Sequence, residues 1–146
     1  MSQVIKVSTL CLALLSISAQ AETIETGVIS QAEAEVEKGD GWAFYSYFTG
    51  SSYGVDKTLT GMAVIEPGQQ IHPPHQHADE EYLLITQGQG EWSVEGETFS
   101  ASAGDMLYAA PWDAHGVKNT GDSPLVFVVF KWHSKNNAVP PKPDAK

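Results

Sequence analysis

Hydrophobic and polar positions alternate in short runs, and turn residues separate the runs. Trp42 to Phe48 is aromatic and reads as a strand. Thr58 to Ile65 reads as a second strand, closed by Pro67-Gly68. From Glu81 onward strands and turns follow at close intervals. Glu81 to Thr86 is turned by Gly88 and Gly90. Glu91 to Val94 places Trp92 and Val94 on one face, and a turn near Glu95-Gly96 leads back through Thr98 and Phe99. Gly104-Asp105 turns into Met106 to Ala110. His115 to Lys118 is short, and Asn119 to Pro124 is a turn. Leu125 to Trp132 is a long apolar strand, expected to be buried on nearly both faces. One segment breaks the pattern. Ser30 to Lys38 predicts a short helix, with Ser30 and Glu33 as a capping box and Gly39 as its stop.

Many short strands with frequent turns predict an all-β sandwich or barrel. The 13 glycines and 8 prolines agree with this, and 42% hydrophobic residues suffice for one core. The length of 146 residues suits one domain.

The two ends stand apart. Lys6, the apolar stretch Val7 to Ser18 and Ala19-Gln20-Ala21 form the pattern of a secretory signal over residues 1–21. The apolar stretch is too short to span a membrane. A mature chain beginning at Glu22 loses Cys11 and retains no thiol for a disulfide or a metal. The expected location is periplasmic or secreted. Residues 22–57 are expected to pack on a barrel formed by 58–133. The proline-rich tail, 134–146, is expected to be disordered.

Charge narrows the partners. Eighteen acids face eight lysines, there is no arginine, and the net charge is -10. Such a chain repels a phosphate backbone, so nucleic acid is an unsuitable partner. Without guanidinium groups, an anionic ligand depends on lysine, a metal or backbone N–H groups.

Three of the five histidines lie in the run from Ile71 to Tyr82, IHPPHQHADEEY. In a strand, His75 and His77 point to one face, and Glu81 keeps that parity. A carboxylate enclosed in a barrel beside two imidazoles needs compensation, which a divalent transition metal (Mn, Fe, Ni, Cu or Zn) supplies.

The spacing of these residues resembles the cupin family. Gly68, His75, His77, Glu81 and Gly88 follow its first motif, with Gly68 one residue further out than the strict pattern. Gly104-Asp105, Pro111, His115 and Asn119 follow its second. There the proline is one place late, and Trp112-Asp113-Ala114 stands where a glycine precedes the histidine. The resemblance covers roughly residues 58 to 132 and implies a double-stranded β-helix, or jelly-roll barrel. It implies His75, His77, Glu81 and His115 as metal ligands. Asn119 reads as a turn-former.

Catalysis at such a site needs an acid or base nearby. Candidates are Tyr108, His72 and Tyr82, then Asp113, His133 and Glu80. Tyr108 can line the barrel or serve as a core residue. His72 belongs at the barrel mouth or in solvent, and His133 at the surface. Tyr82 and Glu80 have the parity opposite Glu81. Trp92, Trp112 and Trp132 suit the core or the rim. With the signal pattern, the resemblance leads to the expectation of an exported metal-dependent enzyme acting on a small oxygen-rich acid or sugar, as lyase, isomerase or oxygenase. The other reading is a non-catalytic module that binds a small ligand or a metal. The aromatic strand with Trp42, Phe44, Tyr45 and Tyr47 is expected to pair with a partner edge in a homodimer.

Overall fold

The computed structural model describes residues 23–144, so the segment 1–21 predicted as a secretory signal lies outside the described residues. Nine antiparallel strands form two sheets. They are β1 (Glu35–Gly39), β2 (Trp42–Gly50), β3 (Val55–Ile65), β4 (Glu80–Gln87), β5 (Gln89–Val94), β6 (Glu97–Ser102), β7 (Met106–Ala109), β8 (His115–Lys118) and β9 (Leu125–Ser134). One sheet has the order β1-β2-β3-β9-β4-β7 and the other β6-β5-β8. The molecule is an all-β jelly-roll barrel, and no helix occurs among the described residues.

The predicted helix over Ser30–Lys38 is replaced by a turn and a strand. Glu33 reaches back as a capping residue would: its carboxylate accepts from the Ser30 backbone N–H (3.0 Å) and hydroxyl (2.7 Å). The chain makes this one turn and then extends into β1, whose partner is β2. Between them Asp40-Gly41 forms a two-residue hairpin turn, with Gly41 at φ 73°. A paired partner strand outweighs the local capping preference.

β2 is consequently not an edge. β1 lies along one side of it and β3 along the other, so its aromatic residues do not offer the free edge expected for a partner. Trp42 and Phe44 point inward, opposite Ile65 and Ala63. Gly61 makes room for Phe44: a Cβ there would meet its ring at 2.5 Å. The edge on this side of the large sheet is β1, exposed throughout and carrying Glu35, Glu37 and Lys38, charges that discourage strand addition.

The core lies between the two sheets. Ala63, Ile65, Leu83, Ile85, Leu107, Leu125, Phe127 and Val129 come from the large sheet, and Trp92, Ala101 and Val117 from the small one. Each large apolar side chain buried here stabilises the fold by roughly 1.5–3 kcal/mol. β9 is one-sided, contrary to the sequence expectation. Leu125, Phe127 and Val129 are buried, Val126 and Val128 are half-buried, and Phe130 is exposed.

Two turns fix the site end of the barrel. Glu95 and Gly96 join β5 to β6 with φ 50° and 84°, the geometry of a type I′ turn. Asn119 is fully buried and acts as the turn-former expected of it. Its Nδ2 donates to the Ile65 (2.7 Å) and Ser123 (2.9 Å) carbonyls, and its Oδ1 accepts from the Gly121 N–H (2.9 Å).

Candidate metal centre

The segment that carries His75 and His77 is not a strand. Pro73 and Pro74 lack the N–H groups a ladder needs, and the segment pairs at one point alone. There His75 and His115 exchange both backbone hydrogen bonds, at 2.9 and 2.8 Å. This bridge, and not a shared strand face, brings the first histidine pair against β8. Glu81 arrives from β4, where the parity expectation holds, and it is buried.

Each histidine is oriented by its own Nδ1. His75 donates to the His115 carbonyl (3.2 Å), His77 to the Asp79 carbonyl (3.0 Å) and His115 to the Asp113 carbonyl (2.7 Å). A carbonyl only accepts, so Nδ1 carries the proton in all three rings, and in the neutral imidazole Nε2 is left with its lone pair. This is the outer-shell arrangement that presents imidazole nitrogens to a metal. The three histidines offer ligand atoms within 4.8 Å of one another.

His115 supplies a further sign of fit. Its residue is 1% exposed, and Nε2 has no hydrogen-bond partner. Glu81 Oε1 lies 3.6 Å away, too far for a hydrogen bond, while Glu81 Oε2 meets His77 Nε2 at 3.0 Å. Leaving a buried imidazole nitrogen unpaired costs about 1–3 kcal/mol. A cation among these four side chains would occupy that lone pair and offset the buried carboxylate. The donor set of imidazole and carboxylate suits a divalent transition metal.

Electrostatics agree with a tightly coupled cluster. Burial, followed by the neighbouring His72, His115 and His77, lowers the His75 pKa to about 4. Burial would raise the Glu81 pKa, but the His115 and His77 rings beside it outweigh this and hold the carboxyl well below its ordinary value. Burial opposes a proton on His115, and the Glu81 carboxylate reverses this and raises its pKa.

The cluster forms part of the wall of a cavity of about 420 Å³. Trp42, Phe44, Leu83, Trp92, Phe127 and Val129 give the remaining wall its large apolar side chains. His72 is exposed at the rim, its ring centroid 4.1 Å from that of His75, so the structure places it at the mouth.

Tyr82 and Tyr108 lie elsewhere. They pair directly across β4 and β7, one step out of phase with Glu81 and Ala109, and so occupy the outer face. Tyr82 stacks on Trp132 at 5.3 Å and against Tyr108 at 4.6 Å. Tyr108 is 44% exposed and donates to Glu80 Oε1 (3.1 Å), while Trp132 Nε1 donates to Glu80 Oε2 (3.1 Å). Burial and the Glu80 carboxylate push the Tyr108 hydroxyl above its ordinary pKa. The geometry removes both tyrosines from the list of acids and bases that can reach the cluster. Asp113 contributes its carbonyl to His115, and His133 sits at the far end of β9 opposite Lys57.

Two residues near the cluster escaped the sequence reading. Glu95 holds Ala114, the residue before His115, from both sides: its N–H donates to the Ala114 carbonyl (2.8 Å), and its carboxylate accepts from the Ala114 N–H (2.7 Å). Lys131 faces the cavity from β9. A lone lysine in the apolar run Leu125 to Trp132 was a visible signal for it.

Residues 61–131 match the family model of the cupin domain. The chain is 26% identical over 82 residues to a gentisate 1,2-dioxygenase from a Streptomyces species, covering 56% of this chain and 23% of that protein. It is 32% identical over 70 residues to a 5-nitrosalicylic acid 1,2-dioxygenase from a Bradyrhizobium species, covering 48% and 33%. The chain thus spans a third or less of the length of these dioxygenases. Among solved structures, an RmlC-like cupin from Shewanella frigidimarina superposes with a TM-score of 0.62 at 15% identity, covering 80% of this chain and 96% of that one. With both histidine-bearing motifs meeting on one barrel wall, inside the stretch that the family model matches, residues 61–131 form a cupin domain.

Proposed function

We propose that this protein is a metal-dependent oxygenase of small aromatic acids carrying a ring oxygen, with His75, His77, Glu81 and His115 as the metal ligands. The observation that carries the reading is a cluster of imidazoles around a buried carboxylate, set in the wall of a mainly apolar, aromatic cavity. Bound by these residues, a redox-active metal such as Fe, Mn, Ni or Cu supplies one-electron chemistry toward dioxygen and polarises a chelating oxygen.

The chain's own residues supply the rest. The carbonyls of His115, Asp79 and Asp113 hold the three imidazoles in one tautomer. Trp42, Phe44, Trp92 and Phe127 offer flat apolar surface to a ring and exclude water from the metal side of the cavity. Among the described lining residues there is no Ser, Thr, Asn or Gln. A sugar would find few partners for its several hydroxyls among these aromatic and aliphatic side chains, so an aromatic acid is favoured over a sugar substrate. The curated relatives named dioxygenases add weight in the same direction. His72, exposed at the mouth, is the nearest further group able to exchange a proton with solvent. Export by the N-terminal signal is part of this reading, tested by fractionation and by finding Glu22 as the mature N-terminus.

The experiment is dioxygen uptake by protein loaded separately with Fe, Mn, Ni, Cu and Zn, supplied with 2,5-dihydroxybenzoate and 2-hydroxybenzoate. Uptake with a redox metal, absent with Zn and in His77→Ala, is the expected result. Tight ligand binding without uptake under any metal would replace the oxygenase by a non-catalytic binding module.

A further inference from the structure

We propose that Lys131 is the specificity residue of the cavity, its ammonium receiving the carboxylate of an anionic substrate; this rests on the aromatic-acid reading above and names its charge-recognition group.

The register places Lys131 directly beside Glu81 on β4 and beside Leu59 on β3, so its side chain lies on the inner face of the large sheet. It lines the cavity together with the histidine cluster. It is the one lysine among the described lining residues, and the sequence contains no arginine. The close contacts between a carboxylate and a basic nitrogen among the described residues are His77–Glu81 and His115–Glu81, and Lys131 belongs to neither. A half-buried lysine between Phe130 and Trp132, held by no carboxylate, is a poor structural choice and a good anion receptor.

The other acid on the cavity wall does not neutralise it. Glu37 lies on exposed β1, in register through Phe44 and Ala63 with Phe127. That is four residues along β9 from Lys131, roughly 13 Å at the rise of a strand. Lys131 and the cluster therefore sit at one end of the cavity and the apolar rings fill the rest. A single-ring acid matches this layout, with its carboxylate at Lys131, its adjacent oxygen toward the histidines and its ring against Trp92 and Phe127.

The test compares 2-hydroxybenzoate with 2-hydroxybenzamide, which has the same shape and no charge. Binding is followed by quenching of the tryptophan fluorescence, Trp42 and Trp92 being in the cavity wall. Wild type, Lys131→Met, Lys131→Gln and Lys131→Arg are titrated as full chains, metal-loaded and metal-free. Wild type is expected to prefer the acid in both states. Lys131→Met and Lys131→Gln lose about tenfold or more in affinity for the acid, with amide binding unchanged, and Lys131→Arg recovers most of it. Equal affinity of wild type and the neutral variants for the acid would overturn the inference, as would a wild type that binds neither probe or does not distinguish them. Metal content and melting temperature report whether each variant is intact. If Lys131→Met and Lys131→Gln both misfold, loss of the wild-type preference for the acid at high salt supports the inference, and its persistence overturns it. Dioxygen uptake stands apart from this readout. A Lys131-dependent preference without uptake sinks the oxygenase alone, and uptake with binding insensitive to Lys131 sinks this inference alone.

Discussion

Glu81 Oε1 lies 3.6 Å from the buried Nε2 of His115 and does not bond it. The backbone bridge to His75 places His115, and the bond from its Nδ1 to the Asp113 carbonyl (2.7 Å) holds the ring in this orientation. A divalent cation satisfies both groups at once. The protein is therefore expected to retain about one transition metal per chain, and His115→Ala to lose it. At a free metal concentration a hundredfold above Kd the folded state gains about 2.7 kcal/mol, worth about 10 °C in Tm for a domain of this size. Elemental analysis and thermal melts with and without a chelator check this. Identical Tm values for loaded and chelated wild type would exclude the site.

The metal-free protein should lose stability in acid through His75. Its folded pKa is lowered from 6.5 to about 4, chiefly by burial. A depressed histidine favours the folded state above pH 6.5, and that contribution is lost as pH falls toward 4. His115 has the opposite sign: its raised pKa makes its contribution complete below 6.5 and lost as pH rises through the folded value. The two windows do not overlap. Chelated protein is expected to show a falling Tm from pH 6.5 to 4, flattened in His75→Gln. An unchanged slope in that variant would mean that other groups set the acid limb.

Tyr82→Phe and Tyr108→Phe should leave metal content and turnover within about twofold of wild type. Both hydroxyls lie on the outer face, and Tyr108 bonds only Glu80 among the described residues. The loss of that exposed hydrogen bond should cost at most about 1 kcal/mol. Denaturant melts and the dioxygen assay test both halves of the statement. A large fall in turnover would bring the outer face into the mechanism.

Parity carried the sequence reading as far as regular pairing extends. Glu81 inward and Tyr82 outward follow from one alternation, and β4 obeys it. The same rule would have placed Tyr108, had the register of β4 against β7 been known, but register depends on partners distant in sequence. His75 and His77 were gathered for a different reason from the one the alternation offers, because prolines exclude a strand and the bridge to His115 replaces it. The helix over Ser30–Lys38 was a local signal overruled by β2, although Asp40-Gly41 is itself a hairpin signature. Lys131 needed the cavity before its isolation in an apolar strand acquired meaning.

Trp112 is the departure from the family pattern that the structure explains. It stands where the motif has a glycine, and its φ is 70°, the left-handed region that glycine enters freely. For tryptophan this costs about 1–2 kcal/mol. Its backbone N–H still donates to the His77 carbonyl at 2.7 Å, a bond any residue can make. The side chain gives something glycine cannot: Nε1 donates to the Pro140 carbonyl at 2.7 Å, and Lys142 Nζ lies 5.9 Å from the ring centroid. The indole thus holds the C-terminal segment beside the cluster. Trp112→Gly should relieve the backbone strain and keep metal binding, so Tm shifts by only a few degrees. It should also release residues 136–144, seen as faster hydrogen exchange and proteolysis there. Unchanged protection of that segment would show that the indole does not anchor it, and loss of metal would show that the ring itself supports His77.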